Sequence, residues 1–181
     1  MKYDYIFFQS LYNSAERKEL RTCIENTHSD SLTDGAAAGV VKTAEVKCLL
    51  YGTVSPLLDK LRQRVLDVNK NYFGFSLFET SDFEILHYNT YKSENSSEYG
   101  WHNDACKNEC YDFKLTALLN LSEEYAGGEF ELFLNGPTEI VEYSVPGTLL
   151  IFPSWIPHRV KPTTAGCRMS LSQFYSGPNI T

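Results

Sequence analysis

Two kinds of hydrophobic periodicity divide the chain. Near the N-terminus, Ser14 stands where a helix cap belongs, ahead of residues 15–24, in which Leu20, Cys23 and Ile24 share one face. A second helix is expected from Ser55-Pro56 to Asn69-Lys70-Asn71, with Leu57, Leu58, Leu61, Val65 and Val68 as its buried stripe. Between them runs a polar, glycine-containing stretch, residues 26–39. The pattern changes after Phe83. Residues 83–88 read as a strand, 113–121 as a mostly apolar run, Gly127-Gly128 open another run through Leu134, Pro146-Gly147 turn into 148–153, and Arg168 opens 169–175. Short strands separated by turn signals are the signature of a β-sandwich or jelly roll.

Composition narrows the classes. The 181 residues, 43% hydrophobic and rich in aromatics, are enough for one domain with a real core, so disorder and fibrous structure are excluded. A formal net charge of -7 opposes sequence-independent binding to nucleic acid, and no nucleic-acid partner is expected. Met1-Lys2-Tyr3-Asp4-Tyr5 has an early acid and is followed only by a short apolar patch, residues 6–8. That is neither a signal peptide nor a membrane span, which points to a soluble, cytoplasmic protein with no membrane partner. The five cysteines, Cys23, Cys48, Cys106, Cys110 and Cys167, are odd in number and lack Cys-x-x-Cys spacing. Free thiols in a reducing compartment follow, since Cys106 and Cys110 have no second pair with which to build a zinc site.

The candidate chemistry lies in His102-Asn103-Asp104, His158 and Arg168. Two imidazoles and one carboxylate make a facial iron(II) site that leaves three coordination positions for a chelating cosubstrate and O2. A strand would point His102 and Asp104 to one face, and a distant strand must bring His158. Such a site carries one net positive charge and favours a dianionic 2-oxo acid, whose far carboxylate the planar guanidinium of Arg168 would hold by two hydrogen bonds. A zinc hydrolase with the same ligands lacks a motif-placed Glu as base.

These residues and their surroundings resemble the prolyl 4-hydroxylase-like branch of the 2-oxoglutarate and Fe(II)-dependent dioxygenases. The resemblance covers about residues 83–177. It rests on Tyr88, Tyr99-Gly100-Trp101-His102-Asn103-Asp104, residues 115–122, Gly127-Gly128-Glu129-Phe130, Pro146-Gly147, Phe152-Pro153, His158-Arg159-Val160 and Gly166-Cys167-Arg168 with Ser170. It implies a double-stranded β-helix of cupin-like jelly-roll type over about 76–177, with helical support over about 1–75, the whole 1–181 being one domain. It also implies His102, Asp104 and His158 as iron ligands and Arg168 on the C5 carboxylate of 2-oxoglutarate. The cosubstrates would be 2-oxoglutarate and O2, with ascorbate as reductant. Tyr88 occupies the place of a cosubstrate-contacting tyrosine. Asn120 is a departure, because several relatives have a tyrosine there, so a supporting hydroxyl must come from Ser170 or a neighbour.

Further expectations follow. Alternation puts Tyr88 inward and His87 on the opposite face in a packing role, and His28 is expected to be exposed. Residues 89–99 form either a surface loop with aromatic anchors or a lid. Tyr99, Trp101, Trp155 and Arg159 are candidate substrate contacts. The resemblance implies oxidative decarboxylation to succinate and CO2 coupled to hydroxylation. Halogenases of related fold leave the carboxylate position vacant, whereas Asp104 fills it. A prolyl residue in a peptide or protein is the favoured substrate. A free amino acid or other small molecule stays open, as does a non-catalytic metal-containing jelly-roll binding module and the oligomeric state.

Overall fold

The computed structural model describes residues 3–28, 39–106 and 110–179. Most of the polar stretch at 26–39 therefore lies outside the described residues. Helix α1 (Ser14–Asn26) starts one residue earlier than expected, with Asn13 as its cap. The Asn13 side chain accepts from the Glu16 amide, and the Glu16 carboxylate accepts from the Asn13 amide. This reciprocal cap needs an acid three residues on, which Asn13 has. Helix α2 (Tyr51–Val68) begins at Tyr51, so Pro56 falls inside it. The amides of Tyr51 and Gly52 donate to Glu84 and Asp82 carbonyls, and Ser55 Oγ donates to the Gly52 carbonyl that Pro56 cannot reach. Tertiary partners thus extend the helix ahead of its proline. No described helix is long and apolar enough to cross a membrane.

The strands are β1 (Ile6–Phe8), β2 (Glu45–Leu50), β3 (Ile85–Lys92), β4 (Tyr99–His102), β5 (Asp112–Asn120), β6 (Tyr125–Gly127), β7 (Phe130–Phe133), β8 (Pro137–Glu139), β9 (Leu149–Pro153), β10 (His158–Val160) and β11 (Thr163–Gly177). They form two antiparallel sheets, one in the order β1-β9-β5-β11-β3-β2 with β6 on β11, the other β4-β10-β7-β8. This is the mainly β double-stranded β-helix that the sequence leads one to expect.

The larger sheet is buried on both faces, which explains the near-continuous apolar runs of β5 and β9. Leu86, Tyr88, Leu115, Ala117, Leu119 and Leu171 pack under Leu20, Leu58 and Leu61 of the helices. On the other face, Leu118, Leu150 and Phe152 meet Phe130, Leu132 and Val160 of the smaller sheet. Each fully buried leucine contributes about 1.5–3 kcal/mol. Arg17 and Arg21 of α1 clasp Glu123 just beyond β5, fastening the helical layer to the sheet.

Two elements differ from expectation. β2, an edge strand carrying Glu and Lys, has no clear alternation and was not anticipated. β3 runs on to Lys92, paired with β2 and β11 on its two sides, so residues 89–92 are strand rather than loop. The connection that follows is tied down as well. Ser97 is buried, its amide donates to Lys92 O, its carbonyl accepts from the Thr163 amide, and the Thr43 amide donates to Glu98 O. Residues 89–92 and 99 thus lie in strands, and the connection between them is bonded to residues 43, 92 and 163.

Candidate metal centre

β4 and β10 are neighbours, and His102 and His158 are direct partners across them. Side chains at paired positions share a face, so the two imidazoles meet, their ring centroids 4.2 Å apart. Asp104 lies just past β4. Its amide donates to the Ser154 carbonyl at 2.9 Å, and Thr116 Oγ1 donates to its carboxylate Oδ2 at 2.8 Å. The carboxylate thereby faces the rings, 3.7 Å from His102 Nε2 and 3.4 Å from His158 Nε2. One ligand atom from each residue lies within 4.8 Å of the others, and no other such group occurs among the described residues.

The donor set fits a divalent iron. Each Nδ1 faces a backbone carbonyl that can only accept, His102 to Gly100 O at 2.8 Å and His158 to Ile156 O at 3.0 Å. Both Nδ1 atoms therefore carry the proton and both Nε2 lone pairs look into the centre. Burial pulls the His158 imidazole down to about 4; burial, followed by the neighbouring His158, does the same to His102. The rings are neutral ligands near pH 7. Burial pushes the Asp104 carboxyl upward, the opposite of what a bound cation would impose. Two neutral nitrogens and one carboxylate on one side, with no thiolate, are the donors of a non-heme iron(II) site. Tyr99 stacks on His102 at 3.4 Å between centroids, and Phe152 and Phe130 pack on His158 at 5.0 and 5.5 Å.

The cluster opens into a cavity of about 180 Å³ that Arg168 and Ser170 also line. Arg168 is 2% exposed, yet no described carboxylate pairs with it and its Nη1 has no hydrogen-bond partner. Tyr91 and Tyr143 flank it, their ring centres 4.9 and 5.5 Å from the guanidinium carbon. Gly128, at φ +65°, leaves the space that its stem fills, since a Cβ there would lie 2.9 Å from Arg168 Cδ.

His102, Asp104, His158, Arg168, Ser170 and Tyr99 are thus brought together around one cavity. The other expected residues are not. β11 pairs Arg168 with Tyr91, Ser170 with Asn89 and Ser172 with His87, so these face the cavity and Tyr88 faces the helices, where its hydroxyl meets Met169 Sδ at 3.0 Å. The expectation of Tyr88 inward and His87 outward is reversed. Asn120 does not reach the cavity, because its amide donates to the carbonyls of Tyr143, Ser144 and Val145 and its oxygen accepts from the Ser122 amide. Trp101 and Arg159 adjoin His102 and His158 along their strands and so point away from the site. They stack on each other at 4.7 Å, with Arg159 also bonded to Glu131. Trp155 packs edge-on against Phe75 instead of lining the cavity. Tyr91, Asn89, His87 and Lys42 are further residues lining the cavity, and Tyr143 flanks Arg168 without lining it. His28 is exposed, and no disulfide links the described cysteines.

Comparison with known proteins follows the same lines. Residues 86–176 match the family model described as the 2OG-Fe(II) oxygenase superfamily. A PKHD-type hydroxylase of Xylella fastidiosa (strain M23) is 29% identical, over 82% of this chain and 74% of that protein. Among solved structures, a Pseudomonas putida prolyl-4-hydroxylase superposes with a TM-score of 0.74 at 18% identity, covering 98% of this chain and 95% of that one. A Trichoplax adhaerens prolyl hydroxylase, solved in complex with a hypoxia inducible factor oxygen degradation domain peptide fragment, gives 0.72 at 17% identity, covering 96% and 84%. At these identities the structures speak for the fold.

Proposed function

Since the chain belongs to the 2OG-Fe(II) oxygenase superfamily, we propose that it hydroxylates a prolyl residue in a peptide or protein, with release of succinate and CO2. The observation that carries the reading is Arg168, a buried cation without a carboxylate partner among the described residues, on the cavity that His102, Asp104 and His158 line. The prolyl substrate is supported by the PKHD-type name of the Xylella relative and by the prolyl hydroxylases among the structural neighbours, one of them holding a peptide.

In this reading His102 and His158 hold Fe(II) through Nε2, and Asp104 through its carboxylate. Bound iron supplies the coupling of 2-oxoglutarate decarboxylation by O2 to insertion of oxygen into a C–H bond. The chain supplies position. The backbone carbonyls of Gly100 and Ile156 fix the imidazole tautomers, and Thr116 aims the carboxylate. Arg168 holds the far carboxylate of 2-oxoglutarate and so selects a five-carbon diacid over shorter 2-oxo acids. Leu118, Phe130 and Val160 form an apolar wall that keeps water from the reacting groups. Asp104 fills the position a halide would need, which directs the outcome to hydroxylation. Ascorbate serves as reductant, and the odd number and scattered spacing of the cysteines support a reducing, cytoplasmic setting.

Proline-containing peptides and free proline, each incubated in air with enzyme, Fe(II), 2-oxoglutarate and ascorbate, test the proposal by mass spectrometry. The expected result is one added oxygen on a prolyl residue of a peptide. Oxygen added only to free proline, or succinate released with no oxidised peptide, would overturn the peptidyl assignment.

A further inference from the structure

Arg168 Nη1 is not the only buried polar atom without a hydrogen-bond partner in this part of the fold. The Tyr143 hydroxyl also lacks one, with the residue 1% exposed. Its ring lies 5.5 Å from the Arg168 guanidinium carbon and edge-on to Phe130 at 5.4 Å, and Phe130 in turn packs on the ligand His158. Ser170, which lines the cavity, stands beside the phenol. Two buried donors, Arg168 Nη1 and the Tyr143 hydroxyl, thus sit on adjacent side chains with no described group in hydrogen-bond geometry to either. Buried donors in this state demand an acceptor, and a carboxylate offers about four lone-pair sites.

Asn120 explains how the phenol comes to be there. It ends β5, and its amide is spent on the carbonyls of Tyr143, Ser144 and Val145 at 2.8, 3.2 and 3.4 Å. Those bonds hold the short turn Val141–Ser144 against the end of β5. The side chain that cannot offer a hydroxyl from β5 secures the turn that offers one from elsewhere.

We propose that the Tyr143 hydroxyl, presented by the turn that Asn120 holds, is the second anchor of the distal carboxylate of 2-oxoglutarate, donating to it alongside Arg168. The proposal rests on the oxygenase reading above. Burial also holds the phenol well above its ordinary range, so it stays a donor at working pH.

Tyr143→Phe removes only the hydroxyl. In the Fe(II)-loaded protein without O2, calorimetry should find 2-oxoglutarate bound about tenfold or more weakly, as expected for losing a buried hydrogen bond to a charged group. Pyruvate shares the 2-oxo acid end and lacks the distal carboxylate, so its binding should be unchanged. Ligand-free Tyr143→Phe should melt no lower than wild type, because the deleted hydroxyl had no partner, while the rise in Tm on adding 2-oxoglutarate should shrink. A 2-oxoglutarate affinity within about twofold of wild type, an equal loss for pyruvate, or a lowered ligand-free Tm would each overturn the proposal. If Fe(II)-loaded wild type binds no 2-oxoglutarate, the oxygenase reading fails together with this one. If wild type binds it and Arg168→Met abolishes binding while Tyr143→Phe does not weaken it, only the Tyr143 assignment falls.

Discussion

Replacing Arg168 with methionine isolates what the buried guanidinium does. Methionine keeps an unbranched stem for the space that Gly128 leaves open and removes the charge and every donor. Because Arg168 is 2% exposed, water does not compete for its N–H groups, and no described carboxylate relieves its charge. The flanking rings at 4.9 and 5.5 Å favour a cation through their π faces but do not neutralise its charge. A 2-oxoglutarate carboxylate would therefore receive two charge-assisted bonds worth together about 2–4 kcal/mol, or about thirty- to a thousandfold in affinity. Titration calorimetry of the Fe(II)-loaded variant under nitrogen measures the dissociation constant directly, and the apparent KM for 2-oxoglutarate should rise in parallel. A dissociation constant within about threefold of wild type would refute the role assigned to Arg168.

Three further outcomes are expected. His158→Ala and Asp104→Ala should each fail to retain Fe(II) through dialysis; stoichiometric iron by metal analysis in either variant would remove that residue from the ligand set. Gly147→Ala should destabilise the fold by about 2–4 kcal/mol in urea unfolding, because Gly147 sits at φ +79° and a Cβ there would run into the Tyr12 carbonyl; an unchanged midpoint would contradict this. Arg159→Ala should leave 2-oxoglutarate affinity intact, since its partner Glu131 lies on the face away from the cavity, and cost about 1–3 kcal/mol of stability, because Glu131 is buried and keeps only Lys161. Burial pushes the Glu131 carboxyl up, but hydrogen bonds from Lys161 and Arg159 outweigh it and hold the group below its ordinary 4.5. That stability is present above 4.5 and lost as pH falls through the lower folded value, so the gap between wild type and Arg159→Ala should close on acidification.

The parts of this site that were legible in the sequence are those whose chemistry is carried by residue type and local spacing. His102-Asn103-Asp104, His158 and Arg168 stand out by residue type and spacing before any fold is known, and the structure brings them to one cavity. Tyr88 and Tyr91 show where such reading stops. Period-two alternation states that neighbours face opposite ways but not which one faces in, and that phase is set by pairing with β11, whose Arg168 lies opposite Tyr91. Asn120 and Tyr143 are linked only by bonds between a strand and a turn far along the chain, which no local pattern records. Trp101 and Arg159 are different. Each adjoins an inward histidine on a strand, so alternation alone already directs them outward. The helix starts moved for local and tertiary reasons respectively, the Asn13–Glu16 cap and the bonds from Tyr51 and Gly52 to residues 82–84.

The account is tested most directly by succinate formed from 2-oxoglutarate under air, with and without added Fe(II), in wild type and in His158→Ala. Iron-dependent succinate from wild type that vanishes in His158→Ala is the predicted result. No succinate from wild type under any condition, or undiminished succinate from His158→Ala, would contradict it.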